Sequence, residues 1–257
     1  MPALSNKIII GVSFKLYLSR GETREWCRRA GEIARAHPAV SGGDLELVIF
    51  PTLPAMETSM AAVDEAPVAF GAQDLFWEDR GAYTGAISGA DLADMGARYA
   101  EIGHAERRAV FGETDGVIAQ KVAAAVRNGL TPWLCIGEPE NGEPDTAAAF
   151  CIAQLEASLA TLDTPTDIVV AYEPVWAIGQ AEAADAGHIQ HVAQALAARL
   201  ADDSRITHAR VVYGGSAQVG TLAALNGAVD GLFLGRFAHD TAAFAAILDE
   251  AAALIAD

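Results

Sequence analysis

Short runs that are apolar at every position alternate with longer amphipathic stretches from one end of the chain to the other. Lys7–Phe14 (KIIIGVSF) reads as a buried strand, and Arg20–Ala36 as a helix closed before Pro38. Further strands are expected at Leu45–Phe50, Pro67–Gly71, Ala97–Gly103, Leu130–Gly137, Asp167–Tyr172, Arg210–Tyr213 and Asp230–Leu234. Helical periodicity and Ala/Leu/Glu-rich composition mark Ala119–Asn128, Thr146–Leu162, Gly187–Ala201 and Ala242–Ile255. Strands apolar on both faces and separated by helices belong to parallel sheets. About eight such units in about 250 residues predict an α/β fold of the (β/α)8-barrel type. No Pro/Ser-rich linker divides the chain, so a single domain over residues 1–257 is expected.

That topology says where to look for chemistry, because barrel enzymes place reactive groups just beyond the C-terminal ends of the strands. The polar or unusual residues at those points are Lys15, His104, Glu173, Gly214-Gly215-Ser216 and Gly235-Arg236. Glu173 precedes Pro174, which holds it extended, and apolar Val175, Trp176 and Ile178 follow. A carboxylate so placed is partly desolvated and its pKa rises towards that of a useful base. The competing reading is a loop carboxylate facing water. His104 is either a structural histidine or, with a helix starting just after it, a neutral imidazole able to polarise a carbonyl. Paired with Glu106 it could suggest a metal, but no third ligand lies at a recognisable spacing, and none is expected. Lys15 could clamp an anion or act as a Schiff-base nucleophile. The two glycine turns offer backbone N–H donors where barrels hold phosphate.

Composition narrows the partners. Acidic residues outnumber basic ones 34 to 17, giving a formal charge of −17, so nucleic acid and anionic membrane surfaces are poor partners. An anionic small molecule would need a local positive site. The apolar fraction of 52% excludes wholesale disorder. Cys27, Cys135 and Cys151 form neither a disulfide framework nor a metal spacing. The opening MPALSNKIII lacks the build of a secretory signal, and no run reaches the roughly 18 apolar residues of a membrane span. A soluble cytoplasmic protein is expected. No dinucleotide or NTP glycine motif is present.

Several longer motifs carry a family resemblance over nearly the whole chain. AYEPVWAIG at Ala171–Gly179 and IGHAERRAVFGET at Ile102–Thr114 resemble the triosephosphate isomerase family. CIGE at Cys135–Glu138, YGGS at Tyr213–Ser216, DGLFLG at Asp230–Gly235 and AYTGAIS at Ala82–Ser88 extend the likeness. The resemblance implies a cofactor-free isomerisation of a small phosphorylated sugar through a cis-enediol. Glu173 would be the base, and neutral His104 the electrophile. That division of labour is the standard description of this family. Lys15 would stabilise negative charge and Glu106 would pair with it. Pro174–Ala181 would be a lid whose Gly179 N–H meets the phosphate, with Gly215, Ser216, Gly235 and Arg236 completing the phosphate site. Gln73–Ser88 would dock Thr84 beside a neighbour's site in a homodimer.

The chain also departs from the family pattern. Ser13 stands where an asparagine is usual, Ala105 where a serine is, and Arg236 where a second glycine is. The far hinge of the lid reads Gln180-Ala181-Glu182, and Ala86 replaces a glutamate expected to meet an arginine such as Arg107. Ser13 leaves room for an extra hydroxymethyl group, and with Arg236 it resembles the tetrulose-phosphate branch, which interconverts L-erythrulose 1-phosphate and D-erythrulose 4-phosphate. The alternatives are triosephosphate isomerase proper, a Schiff-base aldolase on Lys15, and a phosphosugar-binding barrel without turnover.

Overall fold

Five of the six residues of the first strand, Ile8–Ser13, are buried, so both of its faces must be covered. A computed structural model, describing residues 7–180 and 183–256, shows how. Eight parallel strands close into one barrel in sequence order: β1 (Ile8–Ser13), β2 (Leu45–Phe50), β3 (Val68–Ala72), β4 (Tyr99–Ile102), β5 (Thr131–Ile136), β6 (Thr166–Tyr172), β7 (Ile206–Tyr213) and β8 (Gly231–Leu234). Closure is made by β1, which pairs with β2 from Ile8 opposite Leu45 and with β8 from Ile9 opposite Gly231.

The helices are α1 (Arg20–Ala36), α2 (Pro38–Ser41), α3 (Met56–Ala62), α4 (Gly89–Asp94), α5 (Ala105–Phe111), α6 (Asp115–Arg127), α7 (Pro144–Ser158), α8 (Ala186–Ala201), α9 (Thr221–Leu225) and α10 (Thr241–Ala256). Among the described residues no helix is long and apolar enough to cross a membrane.

Alternation along the strands builds two apolar layers. Side chains such as Ile9, Val48, Tyr99, Trp133, Val169 and Phe233 fill the barrel, and a second, larger cluster lies between strands and helices. Trp133 fits only because Gly11 stands opposite: a Cβ there would lie 2.6 Å from the indole ring. Free, buried thiols at Cys27, Cys135 and Cys151 belong to this packing.

All eight expected strands are present, with ends shifted by a few residues. The largest difference is β7, which begins at Ile206 and not Arg210, because its first half carries exposed Thr207 and His208 and lacks the apolar signal. Four-to-seven-residue helices such as α3, α5 and α9 are too short to show periodicity. Helix α6 starts at Asp115, four residues before the expected Ala119, where Thr114 accepts from the N–H of Val117.

Candidate active site

Each reactive residue is delivered by the end of a strand. Lys15 follows β1 with φ of +47°, in the left-handed region that a side chain avoids. The conformation is pinned from outside: Gln73 Nε2 donates to the Lys15 carbonyl at 3.1 Å and to the Phe50 carbonyl at 2.9 Å. The ammonium reaches Glu106 Oε1 at 2.8 Å. Burial pulls the Lys15 pKa down, but the Glu106 bond and the charges of Glu173, Glu106 and Glu101 outweigh it and hold the pKa above 10.5. Lys15 is therefore a fixed cation. A Schiff-base nucleophile must be a neutral amine, so this geometry opposes the aldolase alternative.

His104 leaves β4 through Gly103 and caps α5 with its own ring, Nδ1 accepting the Glu106 N–H at 3.1 Å. An accepting Nδ1 leaves the proton on Nε2, which lies 3.4 Å from Glu173 Oε2. Burial, then the Lys15 charge, lower the His104 pKa to about 4, against a smaller opposing pull from Glu106. Burial and the ammonium both favour the neutral imidazole, and they act alongside the helix start, whose Glu106 N–H occupies Nδ1.

Glu173 directly follows β6, its N–H donating to the Ile136 carbonyl at 2.8 Å. It is 6% exposed, and among the described residues its Oε2 has no hydrogen-bond partner. Burial pushes its pKa up to about 8, Lys15 pulls it down, and Glu106 pushes it up. Room for the carboxyl comes from Gly214, where any Cβ would collide with it. A buried carboxylate, a neutral N–H donor and an ammonium thus surround one space.

That space is a cavity of about 510 Å³, lined by Ser13, Lys15, His104 and Glu173 on one side and by Gly179, Ser216, Gly235 and Arg236 on the other. Its two cations stand against a chain of charge −17. A Cβ on Gly179, whose φ is +74°, would lie 3.7 Å from Arg236 Nη2, so guanidinium and lid backbone face each other. Arg236 also lies over the Tyr17 ring, 5.6 Å from its centroid.

The segment expected to be a lid begins at Pro174 and turns through a 3-10 segment, Val175–Ala177. Ser216, at φ +56°, donates its hydroxyl to the Ala177 carbonyl at 2.9 Å. Three donors converge on Glu138 Oε1: Tyr172 OH at 3.1 Å, Trp176 Nε1 at 2.8 Å and His188 Nε2 at 3.1 Å. Ala181 and Glu182, part of the expected hinge, lie outside the described residues.

Two expected residues do not line this cavity. Gly215 is buried behind its wall, where a Cβ would strike Tyr213 OH at 2.6 Å. Thr84 is exposed on the Gln73–Ser88 loop and lines neither cavity of its own chain, the expected contact being with a neighbour's site. The second cavity, also about 510 Å³, shares Ser13, Lys15, Tyr17, His104 and Glu106 with the first and adds Glu101, Gln73 and Phe111. Arg107, expected to lose a partner through Ala86, binds Asp74 at 2.8 Å and Glu113 in its own chain. Among the described residues no group of three or more His, Cys, Asp or Glu side chains is arranged to hold a metal ion.

Fold and site together define a (β/α)8 barrel with a buried carboxyl, an imidazole and an ammonium gathered at the C-terminal rim of its strands. The triosephosphate isomerase family model matches residues 8–251. L-Erythrulose-1-phosphate isomerase of Pectobacterium atrosepticum is 49% identical over 250 residues, 96% of each chain. Triosephosphate isomerases of Leifsonia xyli (44% over 214 residues, 80% of this chain and 83% of that one) and Moorella thermoacetica (38% over 248 residues, 94% and 97%) are also similar. The chain belongs to the triosephosphate isomerase family.

Proposed function

We propose that the protein interconverts L-erythrulose 1-phosphate and D-erythrulose 4-phosphate, without a cofactor. The observation that carries this reading is Ser13. Its hydroxyl donates to Glu101 at 3.0 Å, and it lines the cavity beside Lys15 and His104, where a side chain shorter than asparagine leaves room for one more carbon. The likeness to an L-erythrulose-1-phosphate isomerase supports it.

With the phosphate between the Gly179 backbone and Arg236, the ketose carbons lie along Glu173, His104 and Lys15. Glu173 removes the C3 proton, and the electron pair of that bond moves to form the enediolate as the C2 carbonyl oxygen gains charge. Lys15 and the His104 Nε2–H stabilise that charge. The proton on the C3 oxygen passes to the C2 oxygen by way of His104, and Glu173 returns its proton to C2. The carbonyl then stands at C3. The lid from Pro174 excludes water, which keeps the enediolate from expelling phosphate.

The triosephosphate isomerases among the relatives favour a second reading, in which glyceraldehyde 3-phosphate is the substrate. The ratio of kcat/KM values on the two substrates decides. We expect a preference for L-erythrulose 1-phosphate of about a hundredfold, or about 2.7 kcal/mol of differential transition-state binding. The reverse preference refutes the four-carbon reading. Ser13→Asn should cost the larger substrate about tenfold more than the smaller, since it fills the vacated space.

The working form is proposed to be a homodimer with Thr84 of the Gln73–Ser88 loop docked beside the neighbour's site. Around the second cavity Leu16 (88% exposed) and Phe111 (64%) present apolar surface that a monomer would leave wet. Sedimentation equilibrium should give twice the 26.8 kDa chain mass, and a single-chain mass at micromolar concentration would refute the assembly.

A further inference from the structure

One ionisable residue beside the cavity has no part in the proton relay. Glu101 lies on β4 two residues after Tyr99, so it shares the inward face of that strand. It is 4% exposed, and the inward layer that it shares with Tyr99 is otherwise apolar or aromatic, while the polar groups of the site stand at its outer end. A carboxyl there is costly to bury, and an aliphatic side chain would fill the same place without that cost.

Among the described residues its one side-chain hydrogen bond is from Ser13 Oγ to Oε2, at 3.0 Å. Ser13 lines both cavities and Glu101 lines the second, so the pair stands where the two meet, next to Lys15 and His104. Burial first, then the charge of Glu173, push the Glu101 pKa up to about 8, while the Ser13 bond pulls it down. Burial and that charge thus favour the protonated acid over the carboxylate.

A protonated carboxyl next to a hydroxyl can donate and accept at once. That chemistry suits an alcohol and not an anion. Arg236 and the Gly179 backbone, which face each other in the first cavity and do not line the second, are the groups proposed above for the phosphate.

We propose that Glu101, with Ser13 seated on it, is a specificity-determining residue that receives the terminal hydroxymethyl group of the substrate. The assignment rests on the four-carbon reading above. A three-carbon phosphoester held by the same phosphate site ends at Lys15 and His104 and stops short of Glu101. A four-carbon ketose phosphate carries a CH2OH group one carbon further, towards the pair.

The test compares wild type, Glu101→Val and Glu101→Gln on L-erythrulose 1-phosphate and D-glyceraldehyde 3-phosphate. Glu101→Val should lower kcat/KM on the four-carbon substrate by about thirtyfold or more and change the three-carbon value by no more than about threefold. Glu101→Gln, whose amide also donates and accepts, should restore the four-carbon value to within about fivefold of wild type. Equal losses on both substrates overturn the proposal, because Glu101 would then act through the fold or the field at Glu173. Binding of 2-phosphoglycolate, which lacks a hydroxymethyl group, reports whether each variant is folded. Should Glu101→Val not fold, the wild-type enzyme still decides with the 4-deoxy analogue of L-erythrulose 1-phosphate. A loss of about thirtyfold supports the contact, and turnover equal to the parent substrate overturns it. Failure of the four-carbon reading shows separately, as a wild-type preference for the three-carbon substrate, and takes the proposal with it.

Discussion

Glu173→Gln lowers kcat by about 10³–10⁴-fold and moves KM by no more than about threefold, the pattern of a group that acts only in the transition state. The amide fills the pocket that Gly214 leaves open but cannot accept a proton. Steady-state rates of the two proteins side by side measure the effect, and equal background rates in both would remove turnover from the account and leave a binding barrel. The same residue sets the pH profile. Only the carboxylate works, and burial raises the Glu173 pKa to about 8, so kcat/KM falls tenfold per unit as pH drops below that value. The limb lies above the second ionisation of the substrate phosphate, near ~6. A midpoint at or under ~6 assigns the limb to the phosphoester and refutes this assignment.

Lys15→Met lowers kcat/KM by about 10²–10³-fold, the scale of losing one preorganised charge aimed at a developing oxyanion. The ammonium is one of two cations lining the cavity, and it faces Glu106, Glu173 and Glu101. Without it the carboxylates repel one another unscreened, and the Glu173 pKa climbs further. The acid limb of kcat/KM should accordingly move to higher pH in the methionine variant. A loss of less than about tenfold, with the limb unmoved, would sink the charge-stabilising role. Borohydride in the presence of substrate should leave Lys15 unmodified, since the ion pair at 2.8 Å keeps its amine protonated.

The barrel was legible because its strands are apolar on both faces, a pattern that few other architectures impose. Lys15, His104 and Glu173 stood out for a related reason: each is a polar interruption where an apolar run ends, and topology brings such ends to one rim. Glu101 was hidden by the same rule. It sits inside the run Ala97–Gly103, and attention to residues after strands passes over a carboxylate within one, although a lone acid among apolar neighbours is itself a signal. Gly215 is less legible. The motif Tyr213–Ser216 places the turn correctly, but which of its peptides faces the cavity depends on the packing of Tyr213 and Pro174 around it. Only part of the basis of the His104 shift was within reach. A helix start can be read from a sequence, whereas the approach of an ammonium from a strand 89 positions earlier cannot.

Glu138 bears on how the segment after Glu173 can move. A carboxylate oxygen has two lone pairs, yet Oε1 is approached by Tyr172, Trp176 and His188 together. It is oversubscribed. Were the indole to swing away, the oxygen would keep a full complement from the tyrosine and the imidazole, so nothing buried would be stranded behind it. The attachment is built as a latch and not a weld: unfastening it would cost only what the departing indole N–H fails to recover from water.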